Sequence, residues 1–131
     1  MKNILKKTLN LFNIFFQRFK NEQIKKINVG SGYVAFDEDW FSCDIDILNL
    51  TKRTDWILLL KNRRVRNIFA EHVWEHLSEG DTLLANNNCY EFLKKGGRLR
   101  IAVPDGFHPN QEYINYVKPN GTGIGSDDHK I

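Results

Sequence analysis

The apolar stretches of this chain are all short. None approaches the roughly 18 uninterrupted apolar residues of a conventional transmembrane helix. No apolar run leads into a small-residue cleavage site, so no signal peptide is read. Cysteine is scarce: Cys43 and Cys89 stand alone, without a C-x-x-C spacing. That leaves no disulfide framework to read and points to a reduced, cytoplasmic setting. Internal repeats and low-complexity tracts are also missing, so no repeat architecture is expected. Outside the first 26 residues there is no cationic excess. The remaining 105 residues carry 12 basic and 15 acidic side chains, which argues against nucleic acid as the main partner.

What is present suits one folded domain. The chain has 131 residues, of which 41% are apolar, with nine Phe and three Trp spread along it. That is enough to build a core and too short for two domains. The net charge of +3 is unevenly placed. Residues 1–26 carry Lys2, Lys6, Lys7, Arg18, Lys20, Lys25 and Lys26 against Glu22, a local charge of +6. In the same stretch Ile4, Leu5, Leu9, Phe12, Phe15, Phe16 and Phe19 recur at spacings of three and four. An amphipathic helix from about Lys2 to Asn21 is expected. Its Phe face can pack on the domain, contact a membrane surface peripherally, or dock on a protein partner.

The body reads as alternating strands and helices. Strands are expected at Ile24–Val29, Trp40–Cys43, Val65–Ala70 and Leu99–Val103. One helix is expected in the second half of Leu48–Leu60, broken by Asn62-Arg63-Arg64. A second is expected over His76–Leu93, with Ser78 as N-cap and Leu77, Leu83, Leu84, Tyr90, Phe92 and Leu93 buried. Gly96-Gly97 is expected to end it. Such alternation implies an α/β domain with a largely parallel sheet. Ligands then bind at the carboxyl ends of the strands, here Gly30-Ser31-Gly32, Asp44, Ala70-Glu71-His72 and Pro104-Asp105. Residues 106–131 read as a Gly- and Asp-rich tail, with Gly121-Thr122-Gly123-Ile124-Gly125 as a flexible loop. The expected division is 1–23, 24–105 and 106–131.

Three segments carry chemistry in a fixed order. The first is Lys26-Ile27-Asn28-Val29-Gly30-Ser31-Gly32, followed by Asp44-Ile45-Asp46. The second is Glu71-His72-Val73-Trp74-Glu75-His76-Leu77. The third runs from Leu93 through Gly96-Gly97 to Ile101-Ala102-Val103-Pro104-Asp105. Together they resemble a group of methyltransferase-like proteins dependent on S-adenosyl-L-methionine (SAM). The resemblance covers about residues 24–131 and implies a Rossmann-like class I methyltransferase sheet, incomplete at the C-terminus. It implies SAM as cofactor and an unidentified methyl acceptor. By that resemblance Gly30, Ser31 and Gly32 cradle the cofactor, and Asp44 accepts its ribose hydroxyls. Ala70 and Glu71 lie beside its methionine part. His72 is the candidate general base, and no resident metal is implied.

Departures from the group's pattern leave other readings open. Only 12 positions separate Gly32 from Asp44, too few for the usual helix between the first two strands. The strand that normally supplies an adenine contact is not evident between Asp46 and Val65. One rival is a truncated or degenerate domain that binds without catalysing. Another is a zinc hydrolase, because His72-Val73-Trp74-Glu75-His76 matches H-x-x-E-H.

Overall fold

The structure is a computed structural model that describes residues 23–32 and 37–123. The amphipathic stretch Lys2–Asn21 lies outside the described residues, as do Ile124–Ile131. Among the described residues the architecture is α/β, with four parallel strands and three α-helices. No helix among them is long and apolar enough to cross a membrane.

The strands are β1 (Lys26–Val29), β2 (Phe41–Cys43), β3 (Val65–Glu71) and β4 (Leu93–Ala102). Their order across the sheet is β2-β1-β3-β4. β1 pairs in parallel with both β2 and β3, placing Val29 beside Cys43 on one side and Ala70 on the other. The connections therefore run outward from β1 in opposite directions. β2 lies to one side and β3 to the other, so the sheet has its topological switch point between β1 and β3.

One face of this sheet carries the core. Ile27 and Val29, Phe41 and Cys43, and Ile68 and Ala70 occupy alternate positions and are all buried. Helices α1 (Arg53–Leu60) and α2 (Glu79–Phe92) supply Trp56, Leu60, Ala85, Cys89 and Phe92 to the same cluster. Trp56 is its largest fully buried side chain and stacks on Phe92, with ring centroids 5.4 Å apart. Its Nε1–H donates to the Leu50 carbonyl at 3.2 Å. The Asn88 side-chain amide donates to that same carbonyl at 2.8 Å. Two buried donors thus fix the segment that connects β2 to α1.

The other face is more polar. Asn28 is buried there, and Phe69 meets Trp40 edge-to-face at 6.4 Å. The Arg100 guanidinium lies 5.6 Å from the Phe69 ring centroid. β4 is an edge of the described sheet.

Several sequence expectations need correction. The second helix begins at Glu79, with Ser78 Oγ accepting from the Asp81 N–H. Its buried stripe is Ala85, Asn88, Cys89 and Phe92. Leu83, Leu84 and Tyr90 are exposed instead. Small residues let this helix approach the sheet closely, and the polar Asn88 is satisfied by Leu50; hydrophobicity alone points to the wrong face. The helix also ends at Phe92, not at the glycines. Gly96 and Gly97 belong to an irregularity in β4. Leu93 to Arg98 spans what Val65 to Asn67 spans on β3. Gly96 takes φ +76°, and a Cβ on Gly97 would meet the Lys94 and Arg66 carbonyls at 2.8 and 2.9 Å. The stretch after Asp105 includes a third helix, α3 (Gln111–Val117), capped by Asn110. Gly121 and Gly123 do not form an open loop, since their N–H groups bond back to Lys118 and Tyr116.

Burial gives both cysteines an alkaline signature. It pushes the Cys89 thiol up to about 12. Cys43 is pushed far above the ordinary thiol range, first by burial and then by the nearby Asp44 and Asp46 carboxylates. A raised folded-state value means stability is complete below the unfolded thiol value and is lost as pH rises toward the folded one. Stability should therefore fall above about pH 8.5, by about 1–2 kcal/mol per thiol at about pH 10. Urea midpoints measured across this range should fall less steeply in Cys89→Ala than in the parent. Parallel curves would show that the thiols are not the cause.

Candidate active site

The carboxyl ends of β1, β2 and β3 meet around a cleft of about 650 Å³. Gly30 follows β1, Asp44 follows β2, and His72 follows β3; all three line it. The volume lies in the range of small-molecule sites, and the location is the switch point of the sheet. Parallel strands bring together three residues that are far apart in sequence.

Each wall has a local cause. Gly30 sits at φ +63°, and a Cβ there would overlap the Val73 Cγ2 methyl. The close approach of these two turns therefore needs glycine at position 30. Gly32 also has φ +57°, but the space where its Cβ would lie is open. The Gly32 N–H donates to Asp44 Oδ2 at 2.9 Å, and the Ile45 N–H donates to Asp44 Oδ1 at 2.7 Å. Both carboxylate oxygens are thus oriented by backbone and keep further lone pairs for a ligand. Ser31 bonds to the Cys43 carbonyl through both its N–H and its hydroxyl, which ties the glycine turn to the end of β2.

The wall opposite Gly30 is the segment held by Trp56 and Asn88. Leu48, Asn49, Leu50 and Thr51 line the cleft there. Asn49 Oδ1 accepts from the Thr51 N–H and hydroxyl, while Asp55 accepts from the Asn49 N–H. This small polar turn needs no helix or strand to stay ordered.

His72 has φ +55°, a left-handed conformation that is uncommon for a non-glycine residue. Its N–H donates to the Ala102 carbonyl, which holds the turn against β4. Its Nδ1 lies 3.0 Å from Glu75 Oε1. A neutral imidazole donating through Nδ1 to that carboxylate leaves Nε2 as a proton acceptor. The His72 side chain is 60% exposed, whereas that of Glu75 is only 13% exposed. Backbone strain beside a half-buried orienting carboxylate is a pattern of functional sites.

Of the residues marked in the sequence, Gly30, Asp44 and His72 line the cleft directly. Ser31 and Gly32 support it through Cys43 and Asp44. Ala70 is fully buried in the core cluster, and Glu71 is exposed; neither lines the cleft. The sequence reading did not single out Asn49, Thr51, Val73 or Asp81 for the site. The Asn-x-Thr spacing and Asp81 in the first turn after an N-cap are the only local signals for them. Among the described residues no Lys or Arg lines the cleft.

The H-x-x-E-H segment is not carried on an α-helix. His72 follows the last residue of β3, and His76 closes a single 3₁₀ turn, Trp74–His76. The two histidines do not share a helical face. Among the described residues no three His, Cys, Asp or Glu side chains converge as a ligand set.

No protein-family model matches this chain, and neither the curated proteins nor the solved structures yield a match to it.

Proposed function

We propose that this cleft binds SAM, that the sheet is the cofactor half of a Rossmann-like class I methyltransferase fold, and that the chain serves methyl transfer to an acceptor. The observation that carries the reading is the placement of Gly30, Asp44 and His72 around one switch-point cleft that no Lys or Arg lines among the described residues. A dinucleotide or nucleotide polyphosphate needs donors or cations for its phosphates. Apart from His72 and His76, the ionisable side chains that line this cleft among the described residues are Asp44 and Asp81. That lining suits a ligand with a ribose, an ammonium and a sulfonium, and no phosphate.

The geometry supports the following roles. Asp44, preset by two backbone N–H groups, accepts the ribose hydroxyls. Ile45 and Leu48 offer apolar contact in place of the adenine-contacting strand. The backbone at Gly30 and the turn at Val73 shape the floor. The sulfonium supplies an already activated methyl, so the chain's task is chiefly alignment. His72, oriented by Glu75, is placed to take a proton from an acceptor through Nε2.

Removing the Asp44 carboxylate is expected to weaken S-adenosylhomocysteine binding about 10–100-fold, the range for a lost hydrogen bond to a charged group. Asp44→Ala and Asp44→Asn, compared by calorimetric titration, check this. Unchanged affinity in both variants would remove Asp44 from the site.

A further inference from the structure

Pairing with β3 uses only one side of the β4 backbone. The Ala102 carbonyl accepts from the His72 N–H at 2.9 Å, so the backbone groups of Ala102 face β3. Backbone direction alternates along a strand. Arg100 therefore faces β3 as well, while the N–H and C=O groups of Leu99 and Ile101 point outward. Among the described residues no strand lies beyond β4, and no bond reaches those outward groups. They form an open row of donors and acceptors, ready to template another strand.

The side chains along this edge are sorted by face. The register sets Arg98 beside Asn67 and Arg100 beside Phe69, on the polar face of the sheet. It sets Leu99 beside Ile68 and Ile101 beside Ala70, on the core face. Arg98 and Arg100 are exposed, and Ile101 is 39% exposed although it lies on the core face. The acids at the carboxyl end of the edge are Glu71, which pairs with Ala102, and Asp105, beyond the strand. Among the described residues neither forms an ion pair with Arg98 or Arg100. The edge thus offers cations on one face, apolar surface on the other, and unpaired backbone between them.

We infer that the outer edge of β4 takes up an extended segment of a partner protein, one in which acidic and apolar residues alternate. Adding a strand satisfies the open backbone groups of Leu99 and Ile101. The alternation of the added strand sets its acidic side chains beside Arg98 and Arg100, and its apolar ones beside Leu99 and Ile101. A second copy of this chain is a poorer occupant. Its own β4 brings Arg98 and Arg100 alongside their counterparts, and edges charged in this way resist self-pairing. A phosphate polyanion matches the arginines but supplies no donors for the outward carbonyls. The inference stands apart from what the cleft binds.

The test is fluorescence anisotropy of the full chain with labelled peptides of about seven residues, the length of an ordinary strand. A peptide alternating glutamate and valine is expected to bind at least about tenfold more tightly than one alternating lysine and valine. N-methylation of every second residue keeps the charges and removes the pairing donors, and should weaken binding at least about tenfold. Arg98→Glu/Arg100→Glu should reverse the preference between the two peptides, with circular dichroism unchanged. Ile101→Pro removes an outward donor that β3 does not use, and should weaken binding about fivefold. In amide exchange, Leu99 and Ile101 should exchange fast in the free chain and become protected by the glutamate peptide, whereas Arg100 is protected in both. No binding of the glutamate peptide overturns the inference. So does equal binding of the two charge types or of the N-methylated peptide, or a complex that leaves Leu99 and Ile101 unprotected.

Discussion

Trp56→Ala is expected to destabilise the chain by about 3–5 kcal/mol, the range for truncating a large buried aromatic. A domain of this size is stable by about 5–15 kcal/mol in total, so the variant should be partly unfolded at modest denaturant. The side chain is fully buried and stacked on Phe92. Its loss removes the ring stacking between α1 and α2 and leaves a cavity in the core cluster. It also removes one of the two donors on the Leu50 carbonyl. That carbonyl belongs to the wall of the cleft. Trp56→Phe keeps an aromatic ring of smaller volume against Phe92 and loses the donor, so it retains much of the packing while removing the hydrogen bond. It should lose about 1–2 kcal/mol and show faster amide exchange at Leu50–Lys52. Urea denaturation gives the stabilities. A Trp56→Ala cost below about 1 kcal/mol would mean that the core is not organised around this residue.

Gly30→Ala is the second large effect, and it acts where stability and binding meet. An L-residue at φ +63° costs about 1–2 kcal/mol. The added Cβ also overlaps Val73 Cγ2, and Val73 packs against the core. Together these are expected to cost about 2–4 kcal/mol and to push the two turns of the cleft floor apart. Gly30→Ala/Val73→Ala tests the steric part. The double variant should be less destabilised than the sum of the singles, because each change relieves the other's conflict. Simple additivity would show that the two turns do not meet. Gly32→Ala is the control: it carries the left-handed cost alone, because nothing lies near its Cβ position.

These two residues show what the sequence makes legible. The glycine turn, the Asp44 strand end and the His72 strand end were readable because each closes a short apolar run. Their convergence follows once the strands are parallel. Trp56 falls within the helix expected in the second half of Leu48–Leu60. Its tie to Leu50 was not legible, since a side chain reaching a loop carbonyl leaves no periodic trace. The face of α2 was misread for a related reason. Asn88 is buried because Leu50 satisfies it, and Leu83 and Leu84 are exposed because nothing described covers them. The glycines at 96 and 97 look like a helix stop. Gly96 is needed for its φ of +76°, and Gly97 because a Cβ there would meet the Arg66 carbonyl on the neighbouring strand, which only the pairing reveals. The His72–Glu75 contact was within reach of the sequence as an i, i+3 pair. What marks it as part of the site is the left-handed turn at His72, which hydrophobic patterning does not encode.

The site's charge sharpens the reading of its ligand. The glycine turn alone is compatible with any nucleotide. Among the described residues no Lys or Arg lines the cleft, and Asp44 is preset by two N–H groups; this supports a ligand without phosphates over one that carries them. The most direct test is calorimetric titration of the unmodified chain with S-adenosylhomocysteine, with ADP titrated under the same conditions. A single S-adenosylhomocysteine site with a Kd in about the micromolar range, and ADP binding at least about tenfold weaker, is the predicted result. No binding of S-adenosylhomocysteine, or tighter binding of ADP, would contradict it.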